Sequence, residues 1–347
     1  MTDVVVIGAG QAGLSSSYHL RRHGIDHVVL DAEDGPGGAW RHRWDTLRMR
    51  TVHGIYDLPG MAFEQPDEGA KANEVIPAYF GRYEREFDLP VIRPVQVRTV
   101  SDDGDRLRIE TDKGLWSTRG LINATGTWRR PFWPRYPGQE TFLGRQLHTA
   151  DYRGPEEFAG KRVVVVGGGA SAVQQLLEIA QVAADTRWVT RTEPIWREGP
   201  FTPEYGRSVV AMVDEAVRAG LPPRSVVSVT GLALTPEVRE GIRAGILDRK
   251  PMFDHITPNG VAWDDEAFDA DVILWATGFR HDLDHLAPLR LRGPGGGIVM
   301  DGTRVVADPR VHLVGYGPSA STVGANRAGR VAVRELMSHL TAENLVA

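Results

Sequence analysis

The sequence contains no cysteine. This absence excludes disulfide bonds, thiolate metal ligands, cysteine nucleophiles and dithiol redox chemistry within the chain. No apolar run approaches the roughly 20 residues that a membrane-spanning helix needs, and the first residues carry neither a basic leader nor a signal-peptide core. Basic residues are in slight deficit, and the formal net charge of −5 disfavours general binding to nucleic acid or anionic membranes. We therefore expect a cytoplasmic protein with neither of these partners.

Length and composition predict a folded chain of two domains. The 347 residues exceed what one ordinary hydrophobic core holds. Hydrophobic residues make up 41% and charged residues 24%, close to the average of globular proteins, so a disordered or fibrous chain is excluded.

The N-terminal residues have the pattern of a βαβ unit that binds a dinucleotide. The β-branched run Val4–Ile7 predicts a strand buried on both faces, and Gly8-Ala9-Gly10-Gln11-Ala12-Gly13 follows it with the spacing G-x-G-x-x-G. The first glycine permits a tight turn and the second lets a pyrophosphate approach the backbone. The third lets the helix predicted over residues 11–23 pack closely. The next strand, His27–Leu30, leads to Asp31, which is suited to accept a hydrogen bond from a ribose 2′-hydroxyl.

A second unit of the same kind begins about 160 residues later. Val163–Val166 predicts a strand, and Gly167-Gly168-Gly169-Ala170-Ser171-Ala172 has the spacing G-x-G-x-x-A before another helix. The following strand leads to Thr190-Arg191-Thr192 and has no acidic residue at its end. Arg191 can bind a 2′-phosphate, which a carboxylate would repel; the alternative is a solvated arginine.

Together the two units predict an α/β protein with two Rossmann-like (βαβ) dinucleotide-binding domains. One unit has an aspartate where the ribose binds and the other has an arginine, which indicates FAD plus NADPH. Hydride then passes from the nicotinamide to a flavin.

Further segments share their spacing with a known family. Phe142, Gly144, His148 and Tyr152 fit F-x-G-x-x-x-H-x-x-x-Y, and Gly37-Gly38-Ala39-Trp40 fits G-G-x-W. Two A-T-G segments occur at residues 124–126 and 276–278, and a Gly-Tyr-Gly turn at residues 315–317. On these residues the chain resembles the class B flavoprotein monooxygenases, the superfamily of flavin-containing and Baeyer–Villiger monooxygenases. Without the long helical insertions of typical Baeyer–Villiger enzymes, it is similar to the compact bacterial type.

The resemblance implies an NADPH domain, residues 154–271, inserted into a discontinuous FAD domain of residues 1–153 and 272–347, with the A-T-G segments as the crossings. It implies NADPH- and O₂-dependent oxygenation of a small organic substrate, by N- or S-oxidation or by Baeyer–Villiger chemistry, through a C4a-(hydro)peroxyflavin. His148 is expected in contacts between domains. The substrate and the oligomeric state, including a homodimer, stay open.

The two units and the resemblance together give a set of candidate site residues. Arg50 stands where eukaryotic-type members have an Asn that contacts flavin and nicotinamide, so it is the catalytic candidate. A guanidinium there would stabilise a peroxide anion; the alternative is an arginine that pairs with a carboxylate or points to solvent. The candidate cofactor-binding residues are Gly8, Gly10, Gln11, Ala12, Gly13, Asp31, Ala39, Trp40, Thr51, Val97, Ala124, Thr125, Gly126, Gly317, Gly169, Ser171, Ala172, Val173, Gln174, Arg191, Thr192, Ala276, Thr277 and Gly278.

Two other functions fit the order of the motifs. One is an NAD(P)H-dependent flavoprotein reductase of the Cys-free, thioredoxin-reductase-like type, and the other is a non-catalytic FAD/NADPH redox sensor. The fingerprint from Phe142 to Tyr152 and the loop from Gly37 to Trp40 speak against the reductase. No metal site is expected, because His281-Asp282-Leu283-Asp284-His285 lacks the H-E-x-x-H order of a zinc motif and is better explained as a solvated loop. The mixed basic and aromatic residues 128–135 are expected to line the domain cleft.

Overall fold

A computed structural model of the chain describes residues 1–52, 55–199, 203–223, 231–320 and 322–344. Within these ranges, a mixed sheet with a parallel core and an all-parallel sheet carry helices on their faces, as a doubly wound α/β fold requires. No described helix has both the length and the apolar character needed to cross a bilayer.

The first sheet is built on a parallel core of strands, which two separate groups of antiparallel strands extend. Its order is β17-β18-β19-β6-β1-β2-β3, and β4 joins the sheet through β5, which pairs with β6. The nine strands found in the described ranges are β1 (Thr2–Ile7), β2 (His27–Leu30), β3 (Val91–Ile92), β4 (Val97–Asp103), β5 (Arg106–Thr111), β6 (Gly114–Asn123), β17 (Met300–Asp301), β18 (Arg304–Val305) and β19 (Val311–Leu313). β1 lies between β2 and β6 with Val5 in register with both Val28 and Leu121, and its β-branched residues are buried on both faces.

The second sheet repeats this order around its own glycine-rich turn. Its strands run β12-β9-β8-β16-β7, all parallel. They are β7 (Arg145–His148), β8 (Arg162–Val166), β9 (Asp185–Val189), β12 (Arg249–Lys250) and β16 (Val272–Trp275). β8 and β16 therefore stand in the places that β1 and β6 take in the first sheet.

Two small sheets accompany the second half. One is a parallel pair and the other is an antiparallel meander. Their strands are β10 (Trp196–Arg197), β11 (Leu232–Ala233), β13 (His255–Thr257), β14 (Gly260–Ala262) and β15 (Ala267–Asp269).

The helices follow the apolar patterns of the sequence. In the first helix, Leu14, Tyr18 and Leu20 are buried, as their spacing predicts. Against that helix packs the last helix, where a Cβ at Gly329 would lie 2.7 Å from Oγ of Ser15. The described α-helices are α1 (Gln11–Arg22), α2 (Ala72–Glu86), α3 (Ala170–Ile179), α4 (Pro203–Arg218), α5 (Pro236–Arg243) and α6 (Thr322–Asn344).

The two sheets divide the chain differently from the expected domain boundaries at 153/154 and 271/272. β7, before the first boundary, and β16, after the second, pair with each other and so belong to the second sheet. By sheet membership, the inserted half therefore begins between Asn123 and Arg145 and ends after Trp275. The physical reason is that parallel pairing joins strands distant in sequence, so a local pattern does not show it.

Candidate active site

The first glycine-rich turn is packed tightly at its first and last glycines and is open at the glycine between them. Gly8 has a φ of +96°, and a Cβ added there would lie 2.6 Å from the carbonyl oxygen of Ala124. A Cβ at Gly13 would collide with the carbonyl oxygen of Gly8, whereas no described atom lies within 4 Å of the Cβ position at Gly10. The N-terminus of α1 therefore faces open space, as a bound pyrophosphate needs.

A cavity of about 280 Å³ opens in front of this turn. Its walls also come from the end of β2, the loop after Gly37, the start of β4 and the residues that follow β6. Eleven residues predicted to bind a cofactor line it: Gly8, Gly10, Gln11, Ala12, Asp31, Ala39, Trp40, Val97, Ala124, Thr125 and Gly126. Most of the predicted FAD-side residues are thus brought to one cavity.

Asp31 is held by a buried ion cluster at the end of β2. Nε of Arg93 donates to Oδ2 of Asp31 at 2.7 Å, and the two Nη atoms of Arg93 donate to the carboxylate of Glu84 at 2.6 and 2.7 Å. Burial alone would lower the pKa of Arg93, but the hydrogen bonds to Glu84 and Asp31 outweigh it and hold that pKa above its usual value. Sequence reasoning missed Arg93 and Glu84, which belong to no motif and lie more than 50 residues from Asp31.

The second glycine-rich turn repeats the packing of the first. Gly167 has a φ of +144°, and a Cβ there would collide with the carbonyl oxygen of Ala276. No described atom lies within 4 Å of the Cβ position at Gly169, and Ala172 at the third position is fully buried. Each A-T-G segment therefore closes over the first glycine of one turn, and each turn leaves its middle glycine open.

The predicted phosphate-binding residues lie at the end of β9. Arg191 and Thr192 are exposed, and no described carboxylate pairs with Arg191. The nearby Glu193 pairs instead with Nη1 of Arg249 at 3.2 Å. Arg249 is itself anchored, because it donates to Oγ1 and to the carbonyl oxygen of Thr190 at 3.0 and 3.1 Å. The carboxylate of Glu193, the acidic residue nearest to Arg191 in the sequence, is therefore paired with a different arginine.

His148, from the segment that runs from Phe142 to Tyr152, holds the second A-T-G segment in place by a hydrogen bond. Nδ1 of the buried His148 accepts from the backbone N–H of Ala150 at 3.1 Å, so Nε2 carries the hydrogen and donates to the carbonyl oxygen of Gly278 at 3.0 Å. Burial lowers the pKa of His148, which keeps the ring neutral. Oγ1 of Thr277 donates to the carbonyl oxygen of Phe132 at 2.5 Å. Both ring nitrogens of His148 are thus used in backbone contacts.

Arg50 lies outside the cavity. It is exposed on a 3₁₀ turn, Met49–Thr51, and does not line the cavity. The positive charge of Arg50 contributes to a lowered pKa of Glu237 on α5. The pKa of Glu237 is lowered by hydrogen bonds from its own backbone N–H and from Thr235, and to a lesser extent by Arg50. The exposed position of Arg50 fits the alternative in which its side chain points to solvent.

Other predicted residues also lie away from the cavity. Gly317 is buried, and a Cβ there would lie 2.8 Å from Cγ2 of Val217; Gly315, two residues earlier, lines the cavity instead. The carbonyl oxygen of Thr51 accepts from Nε2 of Gln174 at 3.3 Å, which joins the two halves. Of the remaining predicted α3 residues, Val173 packs into the core and Ser171 is half-buried in the first turn.

An arginine between two tryptophans borders the cavity and was not predicted. The guanidinium carbon of Arg43 lies 5.4 Å from the ring centre of Trp40 and 5.0 Å from that of Trp128, and both rings line the cavity. Burial lowers the pKa of Arg43 to about 10. The ring of Trp128 also stacks on Phe279, which follows the second A-T-G segment. The W-x-x-R spacing of Trp40 and Arg43 was the available signal in the sequence.

Comparisons with known proteins identify relatives of this chain. Residues 5–292 match the pyridine nucleotide-disulphide oxidoreductase family. The structure is similar to the flavin-containing monooxygenase from Stenotrophomonas maltophilia, at 38% identity over 98% of this chain and 99% of that one, with a TM-score of 0.84. The uncharacterized oxidoreductase CzcO-like of Geobacillus kaustophilus is 26% identical over 84% of this chain and 88% of its own length. A Baeyer-Villiger monooxygenase of Streptomyces coelicolor is 30% identical over 70% of this chain and 45% of its own length.

Proposed function

We propose which cofactor each half binds and which reaction follows, since the chain belongs to the pyridine nucleotide-disulphide oxidoreductase family and within it to the flavin-containing monooxygenases. The first βαβ unit binds FAD, the second binds NADPH, and the protein oxygenates a small organic substrate with O₂. The matched geometry of the two turns, each closed by an A-T-G segment and each open at its middle glycine, supports two dinucleotide sites. The observation that divides FAD from NADPH is Asp31 at the end of the first unit against Arg191 at the end of the second.

The residues of the first unit fit FAD. The N–H groups at the start of α1 face the open side of Gly10 and suit a pyrophosphate. One oxygen of Asp31 is held by Arg93, which leaves the other to accept from a ribose hydroxyl. Trp40 and Trp128 form an aromatic wall of the cavity. When bound, FAD accepts hydride from NADPH and activates O₂ for transfer of one oxygen atom.

The residues of the second unit fit NADPH. The open backbone at Gly169 receives the pyrophosphate, and the exposed Arg191 and Thr192 donate to the 2′-phosphate. His148 holds the second A-T-G segment by its backbone and takes no part as an acid or base, since both of its ring nitrogens are already hydrogen-bonded. The substrate is oxidised at a nitrogen, a sulfur or a ketone carbon.

The missing cysteine separates this function from other activities of the family. A dithiol reductase needs a pair of cysteines, and this chain has none. The second candidate is therefore the Cys-free reductase, which passes electrons from NADPH to a partner protein and inserts no oxygen.

Turnover under ¹⁸O₂ tests the proposal. The protein is incubated with NADPH and, in separate reactions, a tertiary amine, a thioether and a cyclic ketone, and the products are analysed by mass spectrometry. We expect one ¹⁸O atom in the product of at least one class. If every substrate is returned unlabelled while ferredoxin is reduced efficiently, the protein is a reductase. If the bound flavin is not reduced by NADPH, it is a sensor.

A further inference from the structure

Helix α3 presents two polar side chains to the other half of the molecule. Gln174 donates to the carbonyl oxygen of Thr51 at 3.3 Å. Glu178 accepts from Thr46 and Trp44 of the same segment. Residues four apart lie on one face of a helix, so one face of α3 contacts the segment that follows Trp40.

Glu178 accepts three hydrogen bonds. Its Oε2 accepts from Oγ1 of Thr46 at 2.6 Å and from Oη of Tyr152 at 2.7 Å, and its Oε1 accepts a longer bond from Nε1 of Trp44 at 3.4 Å. Tyr152 is fully buried, and burial together with the neighbouring Glu178 raises its pKa, so its hydroxyl stays a donor. Hydrogen bonds to a carboxylate are short and strong, which makes this a firm connection.

The opposite end of α3 is the second glycine-rich turn. α3 spans Ala170–Ile179, and its N-cap is Gly169, where the backbone is open. An α-helix rises about 1.5 Å per residue, so roughly 13 Å of rigid helix separates that turn from Glu178. Trp40, four residues before Trp44, lines the cavity in the first half. A single helix thus joins the proposed NADPH site to a wall of the proposed FAD site.

We propose that Glu178 is a positioning residue that couples the two cofactor sites. The proposal rests on the proposed function, because it assumes that FAD and NADPH bind at the two turns. Coenzyme held at the N-terminus of α3 fixes the helix, and Glu178 passes that constraint through Thr46 and Trp44 to the loop that carries Trp40. Coupling between two binding sites is reciprocal, so NADP⁺ must tighten FAD as much as FAD tightens NADP⁺.

FAD release from the holoenzyme measures this coupling. Purified holoenzyme is diluted, and released FAD is followed by its fluorescence with and without saturating NADP⁺. In the wild-type protein, once release has reached equilibrium, NADP⁺ should lower the Kd for FAD by roughly fivefold or more, the lower end of typical site-to-site coupling. In Glu178→Ala the effect of NADP⁺ should fall to nearly onefold. Glu178→Gln keeps an oxygen that accepts from Thr46 and Tyr152, so it should retain most of the effect.

Variants of an exposed glutamate in the same half control for the loss of a carboxylate. Glu240 of α5 pairs with Arg243 of its own helix, so Glu240→Ala and Glu240→Gln should both behave as wild type. If Glu178→Ala yields no folded protein, Thr46→Val removes one short bond and should still lower the effect of NADP⁺.

Each result decides the matter. An unchanged NADP⁺ effect in Glu178→Ala or Thr46→Val, in protein that binds both cofactors, overturns the coupling and leaves the proposed function intact. The same holds if NADP⁺ has no effect on FAD release from the wild-type protein. Failure of the wild-type protein to bind FAD or NADP⁺ overturns the proposed function and the coupling together.

Discussion

Replacing Arg191 with alanine should separate the use of NADPH from the use of NADH. The side chain of Arg191 is exposed and pairs with no described carboxylate, so its loss should change the free energy of unfolding by no more than about 0.5 kcal/mol. Its proposed partner is the 2′-phosphate. Hydrogen bonds to a charged group contribute about 1.5–3 kcal/mol. The KM for NADPH should therefore rise roughly 10- to 150-fold.

The KM for NADH should stay nearly constant, because NADH has no phosphate at this position. Glu193 is paired with Arg249, so it is not the partner of Arg191 in the folded protein. The assay is NADPH and NADH oxidation by the wild-type protein, by Arg191→Ala and by Arg187→Ala. Arg187 lies on β9, four residues before Arg191, and pairs with Asp185 at 2.7 Å, so its replacement controls for the loss of one positive charge. Equal losses with both coenzymes in Arg191→Ala would refute the reasoning.

Three further predictions concern flavin binding, oxygen chemistry and pH. FAD should copurify with the protein, and Gly10→Trp should fold but lose FAD, because its side chain enters the open space at the turn. Normal flavin content in folded Gly10→Trp would remove this turn as the FAD site. Gly13→Ala should instead lower the Tm, because its Cβ collides with the carbonyl oxygen of Gly8. Arg50 lies outside the cavity, so Arg50→Ala should leave the fraction of NADPH electrons recovered as H₂O₂ unchanged, and a changed fraction would show that Arg50 acts on the oxygen chemistry. The Tm should fall as the pH is lowered from about 7 to 5. Burial holds the pKa values of six histidines in the folded protein below the unfolded value of about 6.5, so the unfolded chain takes up more protons in this pH range. These residues are His19, His27, His148, His281, His285 and His312, and a constant Tm would contradict the expected effect of their burial.

Local patterns predicted the cofactor-binding core of the fold well. The β-branched runs and the glycine spacing identified β1, α1 and β2 almost to the residue, and the same pattern later in the sequence identified β8 and α3. These signals are strong because a buried parallel strand and a pyrophosphate turn each demand particular residues within a few positions. The open backbone at Gly10 and Gly169 follows from that demand.

The features that the sequence did not predict depend on contacts between distant residues. Arg93 reaches Asp31 across 62 positions, and Trp44 reaches Glu178 across 134, so no window of sequence contains either pair. The pairing of β7 with β16 is equally remote, which is why the domain boundaries were placed differently. Arg50 was placed by resemblance to a family segment, and no physical pattern required its side chain to face the cavity.

The order of strands in the two sheets has a consequence for synthesis on the ribosome. The first sheet begins with β1 at Thr2–Ile7 but includes β19 at Val311–Leu313, beside β6. Every strand of the second sheet lies between Arg145 and Trp275. A chain emerging from its N-terminus at about 5–20 residues per second therefore has all the strands of the inserted sheet available before the sheet that precedes it can be completed. The sheet whose first strand is synthesised first is therefore completed last. Until β19 has been synthesised, the part of β6 that pairs with β19 has no strand beside it.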